Sequence, residues 1–259
     1  MMRKVIGIIV IIVGLGYVFM SFDFLPVIGD STAPAHTHVS DYYIENALRD
    51  THSPNLVTAV LADYRGFDTL LETTVMFSAG VCAVMILGSK SHIRNRFLVP
   101  KKILKGKPEP GVSAYKTVNK DVMVTLIAIM ILLYAIYVLL HGEVGPGGGF
   151  QAGALMALSY IVSMMIAPDT RPLFSLSKAN AAALAGIGVF IYAFTGLLTV
   201  FNGGMFLEYG RLPFPVSNEY LHTIGIMLIE VGVTIGVMAT IITILKAIIE
   251  RVRFDDDRD

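Results

Sequence analysis

A single cysteine, Cys82, stands in a chain of 259 residues that contains no tryptophan. One thiol excludes an intrachain disulfide and any cysteine cluster for iron–sulfur or structural zinc. Lying in an apolar run, Cys82 reads as a small buried hydrophobe. There is no haem motif and no nucleotide-binding loop, so no cofactor is expected and the chain is not read as an enzyme. Charge is scarce too: Asp, Glu, Lys and Arg make up 15% of the residues, against roughly 25% in an ordinary soluble domain. The formal net charge of zero gives no argument for nucleic acid, and no such partner is expected.

What the chain has instead is length of apolar sequence. Hydrophobic residues account for 54% of it, and a spanning helix needs about 20 of them in a row. Six stretches meet or approach that, about 4–25, 68–88, 119–140, 151–167, 179–201 and 220–249. The expected fold class is therefore an all-α polytopic membrane protein lying in the lipid bilayer of the cell membrane. Arg3 and Lys4 before an apolar core resemble a signal peptide, but that core runs from Val5 to Phe22, and an uncleaved first helix is expected.

With six spans and both termini cytoplasmic, all of the 20 Lys and Arg residues except Arg49, Arg65 and Arg211 fall on the inner side. That is the bias of the positive-inside rule. The basic, Pro/Gly-containing segment 89–117 reads as a cytoplasmic linker. It divides a two-span unit, 1–88, from a four-span unit, 118–259. In the loop 26–67, residues 30–40 read as unstructured. Ser53-Pro54 reads as a helix start, with a short helix from Pro54 to Asp63. His36, His38 and His52 lack paired ligand partners and read as surface residues.

The stretch His141-Gly-Glu143-Val-Gly-Pro146-Gly147-Gly148-Gly149-Phe-Gln151 separates two apolar runs. Its glycines and proline cannot continue a helix. Composition alone fits a tight hairpin at the membrane surface. Side-chain-free backbone also admits close neighbours or ions, and amides at a helix start can face an anion. The run from Gly145 to Gly153 resembles the signature loop of the MrpB (MnhB) subunit of Mrp-type sodium/proton antiporters, with Ala152 where that pattern has glycine. The resemblance implies that His141, Glu143, Pro146, Gly147, Gly148, Gly149 and Gln151 form a loop that packs against a neighbouring subunit.

A second cluster runs Asp63-Tyr-Arg65-Gly-Phe-Asp68-Thr69-Leu-Leu-Glu72. Asp68 and Glu72 share a helix face, where like charges repel. Glu72 also lines up with Met76, Ala79 and Ala83, a stripe that favours a helix–helix contact. An acid at such a contact is a candidate for proton or cation handling, and carboxylate oxygens suit sodium. Thr69-x-x-Glu72 equally fits a capping box that only satisfies amides. The stretch resembles a pattern near the C-terminus of MrpA and in MbhE, which belongs to membrane-bound hydrogenases. That resemblance implies an acidic helix by a cation path. Glu72 is then the first candidate, with sodium passing near it, followed by Asp68 and Asp63, while Arg65 holds the acidic loop together.

Glu230 lies about ten residues into the last apolar run, where a lone charge costs about 3 kcal/mol or more and must be paired, protonated or beside water. Gly225, Gly232, Gly236 and Thr240 mark a close helix contact on the same segment. Glu230 is read either as an ion carrier or as a neutral, hydrogen-bonded acid used for assembly. The two resemblances together imply a non-catalytic subunit of an Mrp-type antiporter module. Its implied partners are large and small antiporter subunits and hydrogenase-type soluble subunits. The alternative is a scaffold with no ion path of its own.

Overall fold

The computed structural model describes residues 2–22, 25, 28–33, 35–88, 117–166 and 176–256. Every regular element among them is helical. In order these are α1 (Met2–Ser21), a π-helix (Ala35–Val39), α2 (Ser40–Thr51), α3 (Leu56–Thr58), a second π-helix (Ala59–Tyr64), α4 (Gly66–Gly88), α5 (Thr117–Leu140), α6 (Gly149–Ile166), α7 (Lys178–Phe201), a 3₁₀ turn (Tyr209–Arg211) and α8 (Asn218–Asp256). Each stretch expected to span the membrane coincides with a helix. Four are long and apolar enough to cross, within α4, α5, α7 and α8, and α1 and α6 contribute shorter apolar segments. The linker 89–117 lies outside the described residues, apart from Thr117.

Two compact units are present, Met1–Asn46 and Ala47–Asp259. In the first, α1 carries exposed apolar side chains from Val5 onward, among them Val10, Ile12 and Phe19. Residues 30–33 and 35–40 are not unstructured. Asp30 Oδ1 accepts from both the amide and the hydroxyl of Thr32, at 2.8 and 2.7 Å, and the π-helix and α2 follow. Helix α2 is amphipathic but polar on average and only 12 residues long, so no long apolar run marks it.

In the second unit α8 is the spine, 39 residues or about 58 Å long at 1.5 Å per residue. Helices α4, α6 and α7 pack on it, and α5 packs on α6. Lipid is as apolar as leucine, so membrane helices associate through close packing rather than by escaping water. Small residues make that packing possible here. A Cβ placed on Gly188 of α7 would lie 2.4 Å from the Gly236 amide nitrogen and 2.6 Å from the Gly232 carbonyl oxygen. Thr234 and Thr243, buried on α8, donate to the carbonyls of Glu230 and Ala239 four residues back, at 2.8 and 2.7 Å. The Thr243 hydroxyl is thus satisfied within its own helix, while that of Thr234 also reaches the Gly149 carbonyl at the start of α6, at 3.2 Å.

Two further expectations are corrected, and one of two open readings falls away. Cys82 is exposed rather than buried. It lies two positions beyond Gly80, which meets Thr240 of α8, and so on the far side of α4. The short helix begins at Leu56 rather than Pro54, because the Asn55 side chain caps the Val57 amide at 3.0 Å while the Ser53 hydroxyl reaches the Glu143 carbonyl instead. Thr69 does not head a capping box. Helix α4 starts three residues earlier at Gly66, and the Thr69 hydroxyl donates to the Leu61 carbonyl at 2.7 Å.

Candidate functional site

The π-helix Ala59–Tyr64 brings the chain to α4 through a turn clamped by two buried tyrosines. Tyr209 donates to the Ala62 carbonyl and Tyr192 to the Gly66 carbonyl, each at 2.6 Å. Burial first, then the neighbouring Tyr192, Asp63 and Glu230, push the Tyr209 phenol well above its usual range, so it remains a donor. Glu72 is thereby set two turns into α4, facing the same end of the bundle as the glycine loop.

That loop is tied down by residues 53–58, some ninety positions away in the sequence. Asn55 Nδ2 donates to the carbonyls of Gly142 and Gly145 at 2.8 and 2.7 Å, and the Thr58 hydroxyl donates to Gly142 at 2.6 Å. The Asn55 amide adds a bond to the Glu143 carbonyl at 3.1 Å. The loop's other side rests on α8. A Cβ on Gly142 would lie 2.9 Å from Glu230 Oε2, and one on Gly149 would lie 2.5 Å from the Glu230 carbonyl oxygen. A larger residue at Gly149 would meet main chain and lift the loop off α8, whereas one at Gly142 would displace the Glu230 carboxylate. Replacing Asn55 with alanine strands partly buried carbonyls, at about 1–3 kcal/mol. The expected result is a lower unfolding temperature of the detergent-solubilised protein and faster amide exchange confined to 141–149, measured by hydrogen-exchange mass spectrometry.

Between these parts lies a cavity of about 280 Å³. Thr69 and Glu72 of α4, Glu230 of α8, and Gly147, Gly148, Gly149 and Gln151 of the loop and α6 line it. Glu72 is exposed, whereas Glu230 is 8% exposed with Oε2 lacking a hydrogen-bond partner. The structure thus brings Glu72, Glu230 and half of the signature loop to one place. The remaining sequence candidates sit elsewhere. Asp68 pairs with Arg65 at 2.5 Å on the surface, which also removes the expected repulsion from Glu72. Asp63 accepts a 2.8 Å contact from His222 Nδ1, both being largely buried. His141 is exposed and stacks on Tyr137, with ring centroids 4.0 Å apart. Pro146 lines a separate groove of about 870 Å³. Glu143 is half-buried, and burial pushes its carboxyl up from the ordinary range against a lowering bond from the Thr223 hydroxyl.

Sequence reasoning missed Asn55, Thr58, Tyr192, Tyr209 and His222. Each acts on a residue more than eighty positions away, and nothing local marks a side chain whose partner is that distant.

Comparison with known proteins follows the same division. Residues 120–243 match the model of a domain related to the MnhB subunit of Na+/H+ antiporters, and residues 1–97 match that of MbhE, a subunit of MBH. A Na(+)/H(+) antiporter subunit of Bacillus subtilis is 33% identical over 124 residues, which are 45% of this chain and 86% of that protein. Among solved structures, the Mrp complex from Dietzia sp. DQ12-45-1b matches 95% of this chain with a TM-score of 0.62 and 25% identity, over a quarter (25%) of the matched chain. A chain of the membrane-bound sulfane sulfur reductase, an archaeal respiratory membrane complex, has the same fold across 97% of this chain and 98% of its own, with a TM-score of 0.58 and 24% identity. The glycine loop and Glu230, on which it is seated, both lie within residues 120–243, and with the Bacillus subunit 33% identical over 86% of its own length the chain belongs to the MnhB family of antiporter-related membrane subunits.

Proposed function

We propose that this chain is a non-catalytic membrane subunit of a multisubunit Mrp-type antiporter module, and that its own carboxylates take part in moving a cation or proton. One observation carries the reading: Glu72 and Glu230, from opposite halves of the sequence, line one cavity beneath the glycine loop. Ionisable side chains at a helix junction in a membrane are costly, and by default they mark an ion or proton path. Sodium, as cargo, would meet the oxygens of Glu72 and Glu230 on its way through.

In this reading both termini face the cytoplasm, and units 1–88 and 118–259 are joined by the basic linker. The glycine loop serves first as an internal seam, bonded to residues 53–58, and its Pro146 edge is left for a neighbouring subunit. The similarity to MbhE and to the sulfane reductase fold supports a parent complex that couples the antiporter module to electron transfer.

Mass spectrometry of the complex purified in mild detergent tests the assignment. Large antiporter-like subunits with iron–sulfur or nickel–iron proteins are expected. The same membrane subunits alone would make the parent a stand-alone antiporter. Recovery of this chain only with itself would overturn the proposal.

A further inference from the structure

One largely buried pair beside the cavity plays no part in the path proposed above. The π-helix Ala59–Tyr64 sets Leu61 and Ala62 on the cavity wall. Asp63, the next residue, turns instead to α8, where its Oδ2 meets His222 Nδ1 at 2.8 Å. The two side chains keep 18% and 14% of their surface exposed. A short π-helix is rare and recurs at functional sites.

Two further rings fix the His222 imidazole. His52, just past the end of α2, has a left-handed backbone with φ 58°, a conformation that glycine adopts at no cost. Its ring stands edge-on to His222, with centroids 5.6 Å apart, and Tyr209 stands edge-on at 6.0 Å. A carboxylate acceptor at Nδ1 keeps the ring hydrogen there and leaves Nε2 as the nitrogen that can take a proton. Among the described residues none bonds Nε2. A Cβ on Gly210 would stand 3.8 Å from it, so the glycine leaves that edge uncovered. The other charged or titratable groups nearby are engaged elsewhere. Tyr64 donates to Asp50 at 3.0 Å, Tyr209 to the Ala62 carbonyl, Thr223 to Glu143, and Arg211 lies 3.7 Å from Glu208. Glu219, in the first turn of α8, is exposed. Among the described residues no three His, Cys, Asp or Glu side chains converge to hold a metal ion.

We propose that His222 binds and releases a proton at Nε2, with Asp63 as the positioning residue that holds its tautomer. The pair is then the point where a proton enters or leaves the path at the glycine-loop end of the bundle. On uptake, a proton from water goes to Nε2, and the imidazolium and the Asp63 carboxylate together carry no net charge. On release, Nε2 returns the proton to water, the Nδ1 hydrogen stays on the ring, and the pair carries one negative charge. Histidine suits the task because its charge changes between about pH 5 and 8. Only Ala62 separates Leu61, on the cavity wall, from Asp63 in the chain. The inference rests on the ion-handling reading above for its place in transport.

The test is infrared difference spectroscopy of the purified complex, its histidines isotope-labelled, stepped between about pH 5 and 8. His222→Asn keeps an amide donor near the place of Nδ1 and cannot take up a proton. It should lose one imidazole–imidazolium signal and, in vesicles holding normally assembled complex, slow sodium-dependent exchange by at least about tenfold. Asp63→Asn should keep the signal and move its midpoint to lower pH, because the carboxylate that favours imidazolium is gone. Should His222→Asn fail to assemble, Asp63→Asn decides, by that shift and by the same shift in the pH profile of exchange. An unchanged signal in His222→Asn, or an unmoved midpoint in Asp63→Asn, overturns the proposal. So does a lost signal with exchange intact, which would make the pair a clamp between the π-helix and α8. Exchange lost in Glu72→Gln but intact in His222→Asn sinks this inference alone. Exchange indifferent to both removes the transport reading on which it rests.

Discussion

A Glu72→Gln chain is expected to assemble with its partners as the wild type does and to lose at least about tenfold in cation/proton exchange, the factor that 1.4 kcal/mol of barrier represents. Normal assembly follows from the surroundings of the side chain. Glu72 is exposed in the chain, lies well inside α4 rather than at its start, and belongs to no capping box, since Thr69 bonds to Leu61. Glutamine keeps the shape and removes the charge. What is lost is the one exposed acid on the wall of the cavity that also holds Glu230. The measurement is sodium-dependent pH change in inside-out membrane vesicles, set against the amount of complex recovered. Unchanged exchange in fully assembled complex, also after Glu230→Gln is added, would leave the scaffold alternative. Failure to assemble would return Glu72 to a structural role.

The largest effect on folding is expected from Gly188→Val, which should abolish recovery of assembled protein. A side chain there meets main chain, not a side chain that can swing away: the Gly236 nitrogen at 2.4 Å and the Gly232 oxygen at 2.6 Å from the first added carbon. Helices α7 and α8 would have to separate along their whole crossing. Overpacking of this kind costs about 1–3 kcal/mol or more, and in lipid no hydrophobic gain offsets it. Gly186→Ala, on the same helix, is the control. Its nearest neighbour would be the Phe77 ring at 3.5 Å, so the substitution should be neutral or stabilising, as alanine is the better helix former. The comparison is detergent-resistant complex on gel filtration for both variants. Equal recovery would show that α7 and α8 do not depend on this crossing.

These two positions differ in how far the sequence revealed them. Glu72 stood out because an acid entering an apolar run at helical spacing from Met76, Ala79 and Ala83 is rare and costly. Glu230 stood out for the same reason, and Gly232, Gly236 and Thr240 beside it marked α8 as a helix approached closely. Gly188 carried no such mark in an apolar helix with several small residues. Which glycine is indispensable depends on where α8 crosses, and that is a property of two helices rather than of one.

The short segment before α4 shows the same limit at smaller scale. Ser53, Pro54 and Asn55 all suit a helix start, and local preference alone ranked Ser53-Pro54 first. Asn55 caps the helix and at the same time holds the glycine loop through its amide. A side chain that satisfies a nearby helix end and a distant loop is chosen by both, and only one of those partners is local.

The sequence by itself determined that this is a helical membrane protein. The scarcity of charge, the length of the apolar runs, and the glycines that break one of those runs leave little else possible, because backbone polar groups in lipid must be bonded within the segment that carries them. It also determined which acids were worth attention, since the cost of placing an ionisable group in an apolar run is local. Only the tertiary structure decided which of those acids belong together. It turned Asp68 toward Arg65 and Asp63 toward His222, and set Glu72 and Glu230 on one cavity under the glycine loop. Electrostatic coupling falls with distance in space, and the fold brings these two side chains to one cavity from 158 positions apart in the chain.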